Sequence, residues 1–243
     1  MGTSADRATG TGGAWTPLKR AATDYARSAA GGSGGSRLTA ERVLGRHVAV
    51  LGSAAGAARS ARAGSTGLAR LGGLLAGIGS SGLGPTLRAF GLGDLVGRDR
   101  FDVLEGLITL VAGDASDIES QAARDAICDV YDELYADAET WAELEAAGVT
   151  SGMLKMLLTM FLARYVYYRL PVLAERLARL TDPAAARDAD RQLVDMVRDL
   201  VVLQMPDDPF SFDWAGADGA GFAEQTIRDV YGILEALGRD GDA

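Results

Sequence analysis

Apolar residues recur at spacings of three and four along most of this 243-residue chain, and no stretch alternates convincingly with period two. A 3.6-residue repeat puts such residues on one face of a helix, whereas a half-buried strand needs a repeat of two. The pattern therefore predicts an all-α protein. The clearest examples are Leu68, Leu71, Leu74, Leu75 and Ile78, then Phe101, Leu104, Leu107, Ile108 and Val111. Ile118, Ala122, Ile127, Val130, Tyr131 and Leu134 follow, then Leu193, Met196, Val197, Leu200, Val201 and Gln204, and lastly Phe222, Ile227, Val230, Tyr231, Leu234 and Leu237. Residues 151–170 are apolar nearly all round, which predicts a central helix.

Local signals place the boundaries. Pro17 suits the first turn of a helix over about Pro17–Ala29. The run 30–36 (AGGSGGS) reads as a flexible linker. Thr39 is an expected cap for a helix over about Ala40–Ala58. Segment 91–97 reads as a turn before a capped start. Ser116 with Glu119 has capping-box spacing. Pro171 is expected to kink or end the central helix, Asp182-Pro183 to start the next, and Pro206 and Pro209 to follow its end. Composition divides the chain into a Gly-rich tail (1–14), a Gly/Ala/Arg-rich helical region (15–97) and an acidic helical domain (98–243). The tail has too few large apolar groups to offset its backbone entropy, so it is expected to be flexible.

Charge and glycine are distributed unevenly. The first hundred residues hold 22 of the 32 glycines and 13 Lys+Arg against 5 Asp+Glu, a net +8; the remainder carries −17, within a total of −9. Halves of opposite sign meet different partners or each other. The glycines Gly64, Gly67, Gly72, Gly73 and Gly77 crowd residues 64–78. Each costs an exposed helix about 1 kcal/mol relative to Ala. That helix therefore needs close packing.

No catalytic constellation assembles from these residues. Gly77-Ile-Gly-Ser-Ser-Gly82 matches the dinucleotide glycine pattern, but a leucine-rich helical repeat precedes it where a strand is required. Gly31-Gly-Ser33-Gly-Gly35 matches the nucleophile-elbow pattern inside low-complexity sequence, with His47 the only histidine in the chain. One histidine and one cysteine leave no His-rich or thiolate metal site. His47 lies on an apolar helical face and reads as packed or interfacial; Cys128 reads as a buried, inert thiol. The many carboxylates, such as Asp129, Asp132 and Glu133, read as a solvated helical face. Neither a catalytic residue nor a metal or cofactor is expected. The basic half carries arginines without interleaved aromatic platforms, so direct nucleic-acid binding is not expected, and docking to an acidic protein surface is. No signal peptide or span of about 20 apolar residues is evident, so the expectation is a cytoplasmic protein without stable membrane association.

Two segments are candidates for partner contact. Phe210, Phe212 and Trp214 alternate with polar residues in the acidic loop 207–219. They read either as rings tucked onto the helices or as a docking strip, since aromatics at a polar rim make binding anchors. At the other end, Gly2 allows removal of the initiator Met and exposes an unhindered amine. Asp6 departs from the Ser or Thr of a myristoylation signal. Trp15 marks the start of expected order beyond the leader and is a further candidate contact.

Met1-Gly2-Thr3-Ser4 with its Gly-rich leader, the Gly45–Ala49 run (GRHVA), Ser65-Thr66-Gly67, Leu92–Gly97 (LGDLVG) and Ala122–Ala126 (AARDA) together resemble the QatB-like family, the B component of the bacterial Qat anti-phage system. They span roughly residues 1–135. The resemblance implies a non-enzymatic defence subunit that acts beside a QueC-like enzyme, an ATPase and a TatD-like nuclease. It implies that this chain is the protein substrate and partner of the QueC-like enzyme, with Gly2 as acceptor and with Thr3 and Ser4 read by hydrogen bonds. Two alternatives stay open: a scaffold that bridges the defence subunits unmodified, and a membrane-acting effector that inserts the Gly/Leu-rich helix 68–83.

Overall fold

The computed structural model of the chain describes residues 12–33, 36–113 and 117–240. Among them the fold is all-α, as the apolar spacing requires, with no strand. In chain order the helices are α1 (Gly12–Ser28), α2 (Arg37–Val50), α3 (Ala54–Ser60), α4 (Arg62–Ser81), α5 (Leu83–Ala89) and α6 (Arg100–Ala112). They continue with α7 (Ile118–Leu134), α8 (Trp141–Ala146), α9 (Ser151–Tyr168), α10 (Pro171–Leu177), α11 (Pro183–Val202) and α12 (Ala217–Asp240). The helices group into two compact units that interleave along the sequence. The first takes residues up to Ser60, Leu170–Leu200 and those from Arg228 on; the second takes Ala61–Arg169 and Val201–Ile227.

In the first unit α1 packs along α2 and against α10. Its inner face is Leu18, Ala21, Ala22, Tyr25 and Ala26, all buried. The Tyr25 hydroxyl donates to the Ala189 carbonyl of α11 at 2.6 Å, which satisfies an otherwise stranded donor. Desolvation, with the Asp190 charge second, raises the Tyr25 pKa well above its ordinary value. Of the linker expected at 30–36, residues 30–33 lie in a π-helical turn over Ala29–Ser33 and 34–35 lie outside the described residues; the Ser36 amide donates to Ser28 Oγ at 3.0 Å. Ser36, not Thr39, is the N-cap of α2, and Thr39 Oγ1 donates back to the Ser36 carbonyl at 2.7 Å. The single helix expected over 40–58 breaks at Gly52, whose φ of +93° suits glycine and ends the run before α3. Gly45 of α2 and Gly238 of α12 meet backbone to backbone: a Cβ on Gly45 would lie 2.7 Å from the Gly238 nitrogen.

In the second unit α9 is central. Leu154, Leu157, Leu158, Phe161, Leu162 and Val166 are buried around its whole circumference, as an all-round apolar sequence demands. α4 and α7 pack against it. The leucine stripe of α4 (Leu68, Leu71, Leu74, Leu75, Ile78) is buried, and its glycines admit large rings. Gly64 faces the Tyr165 ring, Gly67 the Phe161 ring and Gly72 the Trp214 indole, each too close for a Cβ. The tight approach is thus helix to aromatic ring, not helix backbone to helix backbone.

Several local expectations shift. The turn at 91–97 holds, with a 3-10 turn over Gly93–Leu95. Asp99 caps α6 by accepting from the Phe101 and Asp102 amides at 2.9 and 3.1 Å. Phe101, however, is 81 % exposed and Ile118 71 %, because each stands in the first turn of its helix, beyond the packed stretch. Val103 takes the core place beside Leu107 and Val111. Asp117 is the N-cap of α7, accepting from the Ser120 amide at 2.9 Å. Ser116 lies outside the described residues, and Glu119 is committed to other partners. The capping box that does form is Thr140 with Glu143 at α8. Pro171 opens α10, and Asp182 caps α11 by accepting from the Ala184 amide at 2.8 Å.

Candidate functional site

Gly2, Thr3 and Ser4 lie outside the described residues. So does the tail expected over 1–14, except 12–14, which open α1. The surface nearest to them in sequence is the outer face of α1. Its sequence puts Thr16, Arg20, Thr23 and Arg27 at i, i+4, i+7 and i+11, which is one stripe of a helix, opposite the buried Leu18/Ala22/Tyr25 face. Trp15 is half-buried near the start of α1, with the Lys19 ammonium 6.0 Å from its ring centroid. Arg176 of α10 faces the same stripe. The stripe, Lys19, Asp24 and Arg176 line an open groove of about 420 Å3 in which Asp24 is the one acid. Asp24 pairs with Arg27 at 3.1 Å on the exposed surface. The α1 stripe is readable at helical spacing in the sequence. Arg176 is not, because it comes from a distant segment.

The three aromatic residues of the 207–219 loop turn inward within the second unit. Trp214 is 2 % exposed; its indole N–H donates to the Pro209 carbonyl at 2.7 Å and its ring covers Gly72. Phe212, Trp214 and Phe222 form a three-ring cluster with centroids 4.8–5.5 Å apart. Phe210 sits against Gly79. Of the two readings of this loop, the tucked arrangement is the one observed. Phe210 and Phe212 stay partly exposed beside the buried Trp214.

The remaining chemical candidates separate. His47 is buried in α2 at 4 % exposure. Cys128, expected inside, is exposed on α7. Its register falls one step outside the Ile127/Val130/Tyr131 face. Its sulfur is still partly desolvated, and with Asp125 and Asp132 nearby this pushes the thiol pKa up and leaves it a weak nucleophile at neutral pH. Among the described residues no three His, Cys, Asp or Glu side chains gather as a metal site would require.

Two carboxylates instead join α7 to α9. Glu119 accepts from Arg169 Nη2 at 2.6 Å and Nε at 2.8 Å, and from the Tyr165 hydroxyl at 2.5 Å. Asp129 accepts from Arg164 at 3.1 Å and the Tyr168 hydroxyl at 2.7 Å. Each carboxylate's donors are groups that hold the helices in register.

A sequence model of the family described as "Qat anti-phage system associated protein QatB" matches residues 52–234. This chain belongs to that family. The match runs from the Gly52 break into α12 and so takes in all of α3–α11. The resemblance drawn from the opening residues, from GRHVA and from LGDLVG is thereby confirmed as to family, on a stretch that begins after the first two of those motifs. No curated protein and no solved structure matches the chain. Family membership makes this protein a component associated with an anti-phage defence system. No helix among the described residues is long and apolar enough to cross a membrane.

Proposed function

We propose that this chain is a cytoplasmic, non-catalytic subunit of the Qat system, the protein substrate and binding partner of a QueC-like enzyme that acts on Gly2. Membership of the QatB family carries this reading. It is supported by the Met1-Gly2 start and by the tasks of the polar side chains described above, which hold helices together. The partner activates a deazapurine carboxyl group as an acyl adenylate: a carboxylate oxygen attacks the α-phosphorus of ATP, the bond to the β-phosphate breaks and pyrophosphate leaves. The Gly2 amine nitrogen attacks the acyl carbon and a C–N bond forms. The C–O bond to AMP breaks, AMP leaves with its electron pair, and the amine proton passes to a base. The product is an amide at the amino terminus, with Thr3 and Ser4 held by hydrogen bonds in the partner's cleft. A helical body bound to the enzyme keeps the leader at high effective concentration.

Intact mass measurement of the chain co-expressed with the QueC-like enzyme tests this. The expected result is a nucleobase-sized adduct on the N-terminal peptide, absent in Gly2→Pro, together with loss of phage protection by that variant and an unchanged circular dichroism spectrum. Loss of Met1 alone, with full protection by Gly2→Pro, would overturn the reading in favour of an unmodified scaffold. The membrane-effector alternative has no support of this kind, since Leu68, Leu71, Leu74, Leu75 and Ile78 are all buried.

A further inference from the structure

Handling of Gly2 by a second protein imposes a length. Ten residues (2–11) separate the Gly2 amine from the first residue of α1. Fully extended they reach about 35 Å at most. An enzyme with Gly2 in its active site must therefore hold that site within this radius of Gly12. α1 is about 26 Å long at 1.5 Å per residue, so its entire outer face falls inside the limit.

That face concentrates the positive charge of the N-terminal half. Lys19, Arg20, Arg27 and Arg176 line one groove against the single carboxylate of Asp24, in a chain of net charge −9. Arg176 Nε is buried there without an acceptor. A desolvated guanidinium N–H with no partner is costly, and the Arg176 side chain also lines the groove, where its charge is open to pairing with a carboxylate. The stripe from Thr16 to Arg27 runs about 16 Å along the helix, longer than any single phosphate group spans. Arg20 and Arg27, seven residues and about 10 Å apart, suit a segment carrying acids two helical turns apart.

We infer that the α1 groove lined by Arg20, Arg27 and Arg176 is where the enzyme acting on Gly2 docks, through an acidic segment of that enzyme. This inference rests on the reading that a partner enzyme handles Gly2. The groove holds the body while the leader, attached to the same helix, enters the active site.

The test uses the full chain co-expressed with its enzyme. Arg20→Glu/Arg27→Glu reverses two charges on the groove. Arg191→Glu/Arg198→Glu makes the same net change on the exposed face of α11. The groove variant should bind the enzyme about tenfold more weakly or worse and gain its adduct more slowly, while the control matches wild type. Binding and modification equal in the two variants would overturn the groove while leaving Gly2 chemistry intact. A wild-type chain that neither binds nor acquires an adduct would overturn the underlying reading, and the groove with it. If the groove variant loses affinity for inorganic phosphate or ATP but keeps the enzyme, the groove is a phosphate site and the docking inference is wrong. Should the variant fail to fold, salt dependence of wild-type binding decides. Affinity that does not fall between about 50 and 300 mM NaCl rules out a charge-based contact.

Discussion

Arg169 is charged and only 4 % exposed. What makes this tolerable is Glu119, which takes two of its N–H groups and the Tyr165 hydroxyl as well. Removing one partner of a buried pair leaves the other charge desolvated and uncompensated. Glu119→Leu, which strips the buried Arg169 guanidinium of this partner, should therefore cost about 3–5 kcal/mol in urea unfolding. Arg239→Ala, which breaks an exposed pair with Glu235, should cost less than about 1 kcal/mol. Glu119 also shows where sequence reasoning stops at this scale. Its spacing from Ser116 fits a capping box, and nothing local reveals an arginine fifty positions away. Phe101 and Cys128 were misplaced for a related reason. A helix has a definite inner face only where a neighbour covers it, and both residues lie just beyond that cover.

Glycine in a helix has two meanings here, and the elements separate them. In α4 the missing side chains are the room that Tyr165, Phe161 and Trp214 occupy. Gly64→Ala should destabilise the protein by about 1–3 kcal/mol, since the Tyr165 ring must shift. In α12, Gly232 meets nothing within 4 Å of an added Cβ. Gly232→Ala should stabilise by about 0.5–1 kcal/mol through helix propensity alone. Opposite signs in chemical denaturation of the two variants are the expected outcome; equal signs would contradict the packing described. That α4 is helical, amphipathic and in need of close packing was legible from its leucine repeat and glycine density. Which rings fill the gaps was not, because they come from α9 and from the 207–219 loop. The central position of α9 was equally legible, since only a surrounded helix can be apolar all round. The break between α2 and α3 was missed because a lone glycine inside a helical repeat carries no sign of its φ.

At the scale of the whole molecule, Tyr25, Tyr131, Tyr135 and Tyr168 share one property. Burial is the main cause of a pKa raised above 10 in each. A folded pKa above the unfolded value means the native state holds its proton more tightly. The associated stability is complete below pH 10 and is lost as pH rises beyond it. Tyrosinate absorbance from these residues should therefore appear together with the loss of helical circular dichroism in an alkaline titration. Tyrosinate forming well before helix loss would contradict their burial. The order of the units along the chain was not legible, because composition changes gradually and packing does not follow it. The unit that carries α1 also draws on residues 170–200 and on those from Arg228 onward. During synthesis, α1 meets α2 at once but waits for α10, translated more than a hundred residues later. A chain released early has its glycine amine but neither α12 nor the Gly238 contact that closes on α2, so a surface formed by completed folding distinguishes finished molecules from fragments.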